Sequence, residues 1–194
     1  MGYGPLAYME MRAYSGSLPT PSLITSGSWS ATRRFPIAPN VWTQFSVGPF
    51  TTPAATTYAY VGWGAAVQGT GKIQNISNHF WVNGLSFKLD GTEKLGSNQV
   101  DSTATNSTYP CWGANNNISL SFQATDQEHA GVASFKFHPT TANNATAVTY
   151  PTTTSSAVAY IPATPGQVAV FSYWMYWDGT SYRKPRVMPK VGAF

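Results

Sequence analysis

Gln167 to Trp177, read as QVAVFSYWMYW, alternates with the two-residue period of a β-strand, and both alternating sets are apolar. Ala169, Phe171, Tyr173, Met175 and Trp177 form one set, and Val168, Val170, Trp174 and Tyr176 the other. An antiparallel sheet usually turns one face to water and carries polar residues there, so a strand apolar on both sides needs two partners. One set is expected to fill a core. The other, centred on Trp174 and Tyr176, is expected to meet another layer or another chain.

Working outward, the same pattern recurs in shorter runs between Gly, Pro and Asn. Ile118 to Gln123 places apolar residues at 118, 120 and 122, and Val132 to Phe137 sets Ala133, Phe135 and Phe137 against Ser134 and Lys136. The segment Asp126 to Gly131 reads as the hairpin connection between these two runs. Upstream, His79 to Val82 runs into Asn83-Gly84, and Leu85 to Leu89 into Asp90-Gly91. Both dipeptides favour the positive φ of type I′ turns, which predicts a meander, and Asp178-Gly179 predicts a third such turn. Further strands are expected at Leu6 to Ala13, Thr43 to Val47, Thr57 to Trp63, Ala145 to Thr149 and Ser156 to Ile161.

No window sustains the i, i+3, i+4, i+7 spacing of a helix, and the abundance of Thr, Val, Tyr, Phe and Trp suits a pleated surface. The expected fold is all-β: an antiparallel β-sandwich, jelly-roll-like, in which residues 1–194 form a single domain. Pro19, Pro21, Pro36, Pro39, Pro49 and Pro53 cannot occupy central strands, so residues 1–53 are expected to supply an extended Pro-rich N-terminal arm or an edge. An arm reaching a neighbouring subunit and a long surface loop are both compatible with that stretch.

Only 9% of the chain is charged, against a typical value of about 25%. Disorder does not follow from this, because aromatics reach 14% and the hydrophobic fraction 42%. Few charges, many hydroxyls and many aromatics resemble the makeup of adhesins, lectins and virion shells. The start of the chain, MGYGPLAYMEMRAYSGSLP, lacks the basic then apolar pattern of a secretory signal, since Glu10 and Arg12 interrupt its apolar run. No apolar run approaches the ~18 residues of a membrane-spanning helix. A protein made in the host cytoplasm yet composed for the exterior points to a virion.

Chemistry is sparse. The single Cys111 cannot form an internal disulfide and has no neighbouring base, so it reads as a small buried hydrophobe. Sequons at Asn75, Asn106, Asn117 and Asn144 have meaning only in a eukaryotic secretory pathway. His79, His129 and His138 lack zinc-ligand spacing. Asp126-Gln-Glu-His129 is the nearest approach to a cluster and offers oxygens and a nitrogen to a metal, or one carboxylate to glycoside hydrolysis. A charged hairpin tip is the preferred reading, because the chain has seven acids and Asp90, Glu93, Asp101 and Asp178 all sit beside turn residues. Gly69-Thr-Gly71-Lys72 fails as a phosphate loop, since Ala66 stands at the earlier glycine position and Ile73 follows the lysine. Neither a Gly-x-Ser-x-Gly elbow nor a Gly-x-Gly-x-x-Gly fingerprint occurs. No catalytic residue, metal ligand or cofactor is assigned, and the expectation is a protein that is not an enzyme.

The net charge is +4. Residues 183–194 form a basic C-terminal tail in which Arg183, Lys184, Arg186 and Lys190 stand without an acid, and Pro185 and Pro189 keep it extended. Together with Arg33 and Arg34 these are candidates for docking on an acidic protein surface. The tail is too sparse for genome packaging, so neither nucleic acid nor membrane is an expected partner. The aromatics keep a carbohydrate-binding alternative open, with Trp63, Trp112 beside Asn115 to Asn117, or Trp174 and Tyr176 as stacking platforms.

In composition the chain resembles small β-sandwich virion proteins of bacteriophages, both the capsid decoration or cement class and the jelly-roll shell or spike class. The expected function is a non-enzymatic virion structural protein that forms a symmetric homo-oligomer, a trimer among the candidates, and contacts other capsid proteins, with no small-molecule substrate. The alternative is a lectin or adhesin of β-sandwich type.

Overall fold

The structure is a computed structural model, and it describes residues 5–18, 20–25, 31–67, 79–95, 112–115, 118–130, 132–139, 146–151 and 160–179. In chain order the strands are β1 (Pro5–Ser15), β2 (Ser22–Leu23), β3 (Ala31–Pro36), β4 (Thr43–Thr51), β5 (Tyr58–Val67), β6 (Phe80–Leu89) and β7 (Thr92–Glu93). They continue with β8 (Trp112–Asn115), β9 (Ile118–His129), β10 (Val132–Pro139), β11 (Thr146–Pro151), β12 (Ile161–Pro162) and β13 (Val168–Trp177). The chain is all-β across the described residues, with two antiparallel sheets and no helix.

In sheet I, β1 lies between β5 on one side and β2 and β3 on the other, and β5 is followed by β11 and β12, with β8 beyond β11. Sheet II runs β4-β13-β6-β10-β9, with β7 also paired to β6. Of the strands within residues 1–53, β1 lies inside sheet I, whereas β2, β3 and β4 lie at sheet edges: β2 and β3 flank β1, and β4 closes sheet II. Pro36 ends β3, and Pro49 lies in β4, an edge strand where a missing N–H does little harm.

The sheets meet through alternate side chains. Ala7, Met9, Met11 and Ala13 of β1 and Val61 and Trp63 of β5 face Phe80, Val82 and Phe87 of β6, Phe135 and Phe137 of β10, and Phe171, Tyr173 and Met175 of β13, all in one buried cluster. Trp63 packs across the gap with ring centroids 5.4 Å from Phe135 and 5.6 Å from Phe137. The buried Tyr173 hydroxyl donates to the Tyr8 carbonyl at 2.7 Å, a polar tie between the sheets. At the β3/β4 edge Phe35 stacks on Phe45 at 5.6 Å. Each fully buried large side chain contributes roughly 1.5–3 kcal/mol through apolar area removed from water.

Two of the three predicted turns can be compared with the structure. Asp90 and Gly91 take φ of 50° and 78° and join Leu89 to Thr92, the expected two-residue hairpin. Asn83-Gly84 is not a turn: β6 runs unbroken through it, and the positive φ of Gly84, 61°, serves a bulge. There the register against β13 slips between Ser172–Ser86 and Trp174–Asn83. The dipeptide goes to a bulge because Asn83 is buried, its amide donating to the Ala133 carbonyl at 2.9 Å and to the Ser134 hydroxyl at 3.3 Å. The predicted turn at Asp178-Gly179 continues into residues outside those described.

The β9–β10 connection is also shorter than expected. β9 extends to His129, which pairs with Val132, so Asp126 lies within a strand and not in the loop. Beside it the register slips twice, and Ala124 to His129 lies opposite only Ser134 to Val132. The extra residues on β9 bend the end of this hairpin.

Candidate functional site

The inner set of β13 is buried as its alternation requires, and the outer set of Val170, Ser172, Trp174 and Tyr176 is half-buried. Part of the cover comes from the same chain. The His129 ring, carried on the bent end of β9, stacks on Trp174 with centroids 4.3 Å apart and planes at 25°. Trp42, just before β4, approaches His129 at 5.1 Å and Tyr176 at 5.6 Å. Trp174 also lies over Gly84, where a Cβ would come within 3.2 Å of the indole, so the bulge glycine makes room for the ring.

The stripe continues across the sheet. Tyr176 meets Trp81 edge-on at 5.6 Å, and Trp81 lies 5.8 Å from His79, which is 5.0 Å from His138. Seven rings from five separate stretches of chain thus line the outer face of sheet II. Polar groups hem it. Asp126 accepts from the Trp81 indole N–H at 2.9 Å and pairs with Lys136, whose ammonium lies 5.0 Å from the Trp81 ring centroid. Burial pushes the Asp126 carboxyl up, but the hydrogen bonds from Lys136 and Trp81 outweigh it and hold it below the usual carboxylate range. His138 is shifted down by burial first, then by His79 and Lys136. The Tyr176 hydroxyl donates to Asn40 at 3.3 Å. Val41, next to Trp42 in the chain, is 53% exposed.

Most of the described carboxylates are committed to structure. Glu93 accepts backbone N–H groups from Phe87, Lys94 and Leu95 at 2.9–3.1 Å. Asp90 accepts from the Val168 N–H at 2.8 Å, and Asp178 from the His79 N–H at 2.7 Å. Among the described residues no group of three His, Cys, Asp or Glu side chains is placed to hold a metal. Nor is any helix there long and apolar enough to cross a membrane, which says nothing of a β-barrel. What this face is equipped for is stacking and hydrogen bonding.

Of the expected interface residues, Trp174 and Tyr176 come together on this face. Arg33 and Arg34 lie in β3 at the edge of sheet I, paired with Met9 and Tyr8. Arg183, Lys184, Arg186 and Lys190 lie outside the described residues, as does Cys111. Trp63 is removed as a sugar platform: it is fully buried, turned into the core against Phe135 and Phe137. Trp42 and His129 join this face without a local sequence signal, since neither lies in an alternating run that points there. Comparison with known proteins finds no matching family model, no similar curated protein and no similar solved structure.

Proposed function

We propose that this chain is a non-enzymatic structural protein of a virus particle, a capsid decoration, cement, shell or spike component of a bacteriophage. It assembles as a homo-oligomer and docks on other capsid proteins. The observation that carries the reading is the outer face of sheet II: a stripe of Trp42, Trp174 and Tyr176 left half-covered, with Val41 exposed beside Trp42. A contact of standard size, about 1,600 Å² in all, centred on Trp and Tyr anchors would hold subunits together without covalent links.

The finer fold in this proposal is jelly-roll-like. In its support, successive strands β4, β5 and β6 alternate between the sheets, and β4 lies beside β13, distant in sequence. The proposal also has the Pro-rich segment up to residue 53 act as an arm or edge toward a neighbouring subunit. Arg33, Arg34 and the basic tail then supply charge toward an acidic shell surface. The protein is made in the host cytoplasm and leaves with the particle.

Trp174→Ala and Tyr176→Ala are expected to lower the oligomer mass in light scattering while the far-ultraviolet spectrum stays unchanged. An unaltered mass in both variants would overturn the proposal.

A further inference from the structure

The outer face of sheet I carries a second aromatic cluster, and its members among the described residues are tyrosines. Across the β1–β5 pair Tyr14 stands opposite Tyr58, and Arg12 opposite Tyr60. Tyr160 immediately precedes β12, which pairs with the start of β5. Its ring centroid lies 4.9 Å from Tyr14, 6.1 Å from Tyr58 and 6.3 Å from Tyr60, with interplanar angles of 48–72°. Tyr14 and Tyr60 are 6.3 Å apart at 63°. All four are half-buried, so three adjacent stretches of sheet present tilted rings to one place. Leu23 of β2, opposite Tyr14, is 38% exposed and adds an apolar margin.

Beside the rings stands a guanidinium fixed in position. Glu10 is 2% exposed, accepts from the Tyr8 hydroxyl at 3.1 Å and is paired with Arg12, whose side chain remains about a third exposed. Burial works against the Arg12 charge, but Glu10 and a hydrogen bond with Tyr14 outweigh it and keep the group protonated. Tyr160 is shifted up by burial first and then by Tyr14, with Arg12 opposing, so its phenol stays a neutral donor at ordinary pH.

We infer that this tyrosine cluster is a binding site for a neutral hexopyranose unit of a glycan. A pyranose ring presents an apolar C–H face that stacks on aromatic rings, and a rim of hydroxyls that pair with phenols and with a guanidinium. A neutral sugar fits better than an acidic one, because the Arg12 guanidinium beside the rings already has its counter-charge in Glu10. A purely apolar partner would strand the phenol hydroxyls and the Arg12 donors away from water. The site is separate from the sheet II face, so it would give a particle-bound protein a second function, contact with surface carbohydrate.

Saturation-transfer NMR on the full chain tests this with glucose, galactose and mannose against glucuronic and N-acetylneuraminic acids. A neutral hexose is expected to receive saturation on its C–H face. Tyr160→Ala should weaken that binding at least about tenfold, and Tyr160→Phe, which keeps the ring, about fivefold. Oligomer mass should not change in either variant, and Trp174→Ala should leave sugar binding intact, so failure here and failure of the assembly reading are distinguishable. The inference is overturned if no neutral hexose binds, if only the acidic sugars do, or if the folded Tyr160→Phe variant binds as the parent does.

Discussion

On the inner face of β13, Phe171, Tyr173, Met175 and Trp177 lie among side chains of both sheets and lose all contact with water; one residue out of step, Val170, Trp174 and Tyr176 stay half-exposed. The residue types are almost the same on the two sides, so the difference does not come from hydrophobicity. It comes from what stands opposite. A whole second sheet faces the inner set, whereas the outer set has Trp42, His129 and Trp81 laid against it one ring at a time. Close packing makes every atom of the inner set count toward stability, and loose cover leaves the outer set available for contacts beyond the fold.

Truncation on each face should separate these roles most clearly. Phe171→Ala deletes a fully buried ring and leaves a cavity, which is expected to cost about 3–5 kcal/mol in urea denaturation. Trp174→Ala, of greater volume but only half-buried, should cost about 1–2 kcal/mol in the same measurement. Equal losses at the two positions would mean that the outer face is as closely packed as the core.

The next effect is polar and lies on the inner face. Tyr173→Phe removes the hydroxyl that donates to the Tyr8 carbonyl and is expected to cost about 0.5–1.5 kcal/mol, the net worth of one buried hydrogen bond. Burial raises the Tyr173 phenol well above its ordinary value of 10.0, so the folded state retains a proton that the unfolded chain releases. Its contribution is therefore complete below about pH 10 and declines as the pH rises from there. The Phe variant should lose this part of the alkaline dependence, and denaturation midpoints at pH 8 and at pH 11 would check it.

How far the fold could be read in advance follows the same division. The β13 alternation, the runs at 118–123 and 132–137 and the Asp90-Gly91 turn are local patterns, and each appears where the residues place it. Asn83-Gly84 misleads because positive φ suits a bulge as well as a turn, and the choice is made by the distant Ala133 carbonyl that Asn83 meets. Trp63 could be assigned to the core only once Phe135 and Phe137 were known to stand across from it. For the site, Trp174 and Tyr176 were visible as an outer face. Trp42 and His129 reach that face through a link between sheets and a register slip, which no local pattern encodes. The tyrosine cluster has one local trace, Tyr58 and Tyr60 flanking Ala59, and its other members, Tyr14 and Tyr160, are brought in by strand pairing.

A weaker effect is expected from a titrating group on the outer face. His138 borders the far end of the sheet II stripe, where burial, His79 at 5.0 Å and the Lys136 charge all disfavour its protonated form, so its folded pKa lies below the usual 6.5. Asp178 faces the pair through His79, and Asp126 is occupied with Lys136 and Trp81. For a base held neutral in the folded state, the unfolded chain takes up its proton first on acidification. The contribution is then present above about pH 6.5 and is lost as the pH falls below it. His138→Asn should flatten this part of the pH dependence between pH 7.5 and pH 5, with a change in denaturation midpoint smaller than that of Tyr173→Phe because the imidazole is only half-buried. An unchanged slope would show that water already screens these charges, and that the outer face is looser at this end than at Trp174, where His129 covers it.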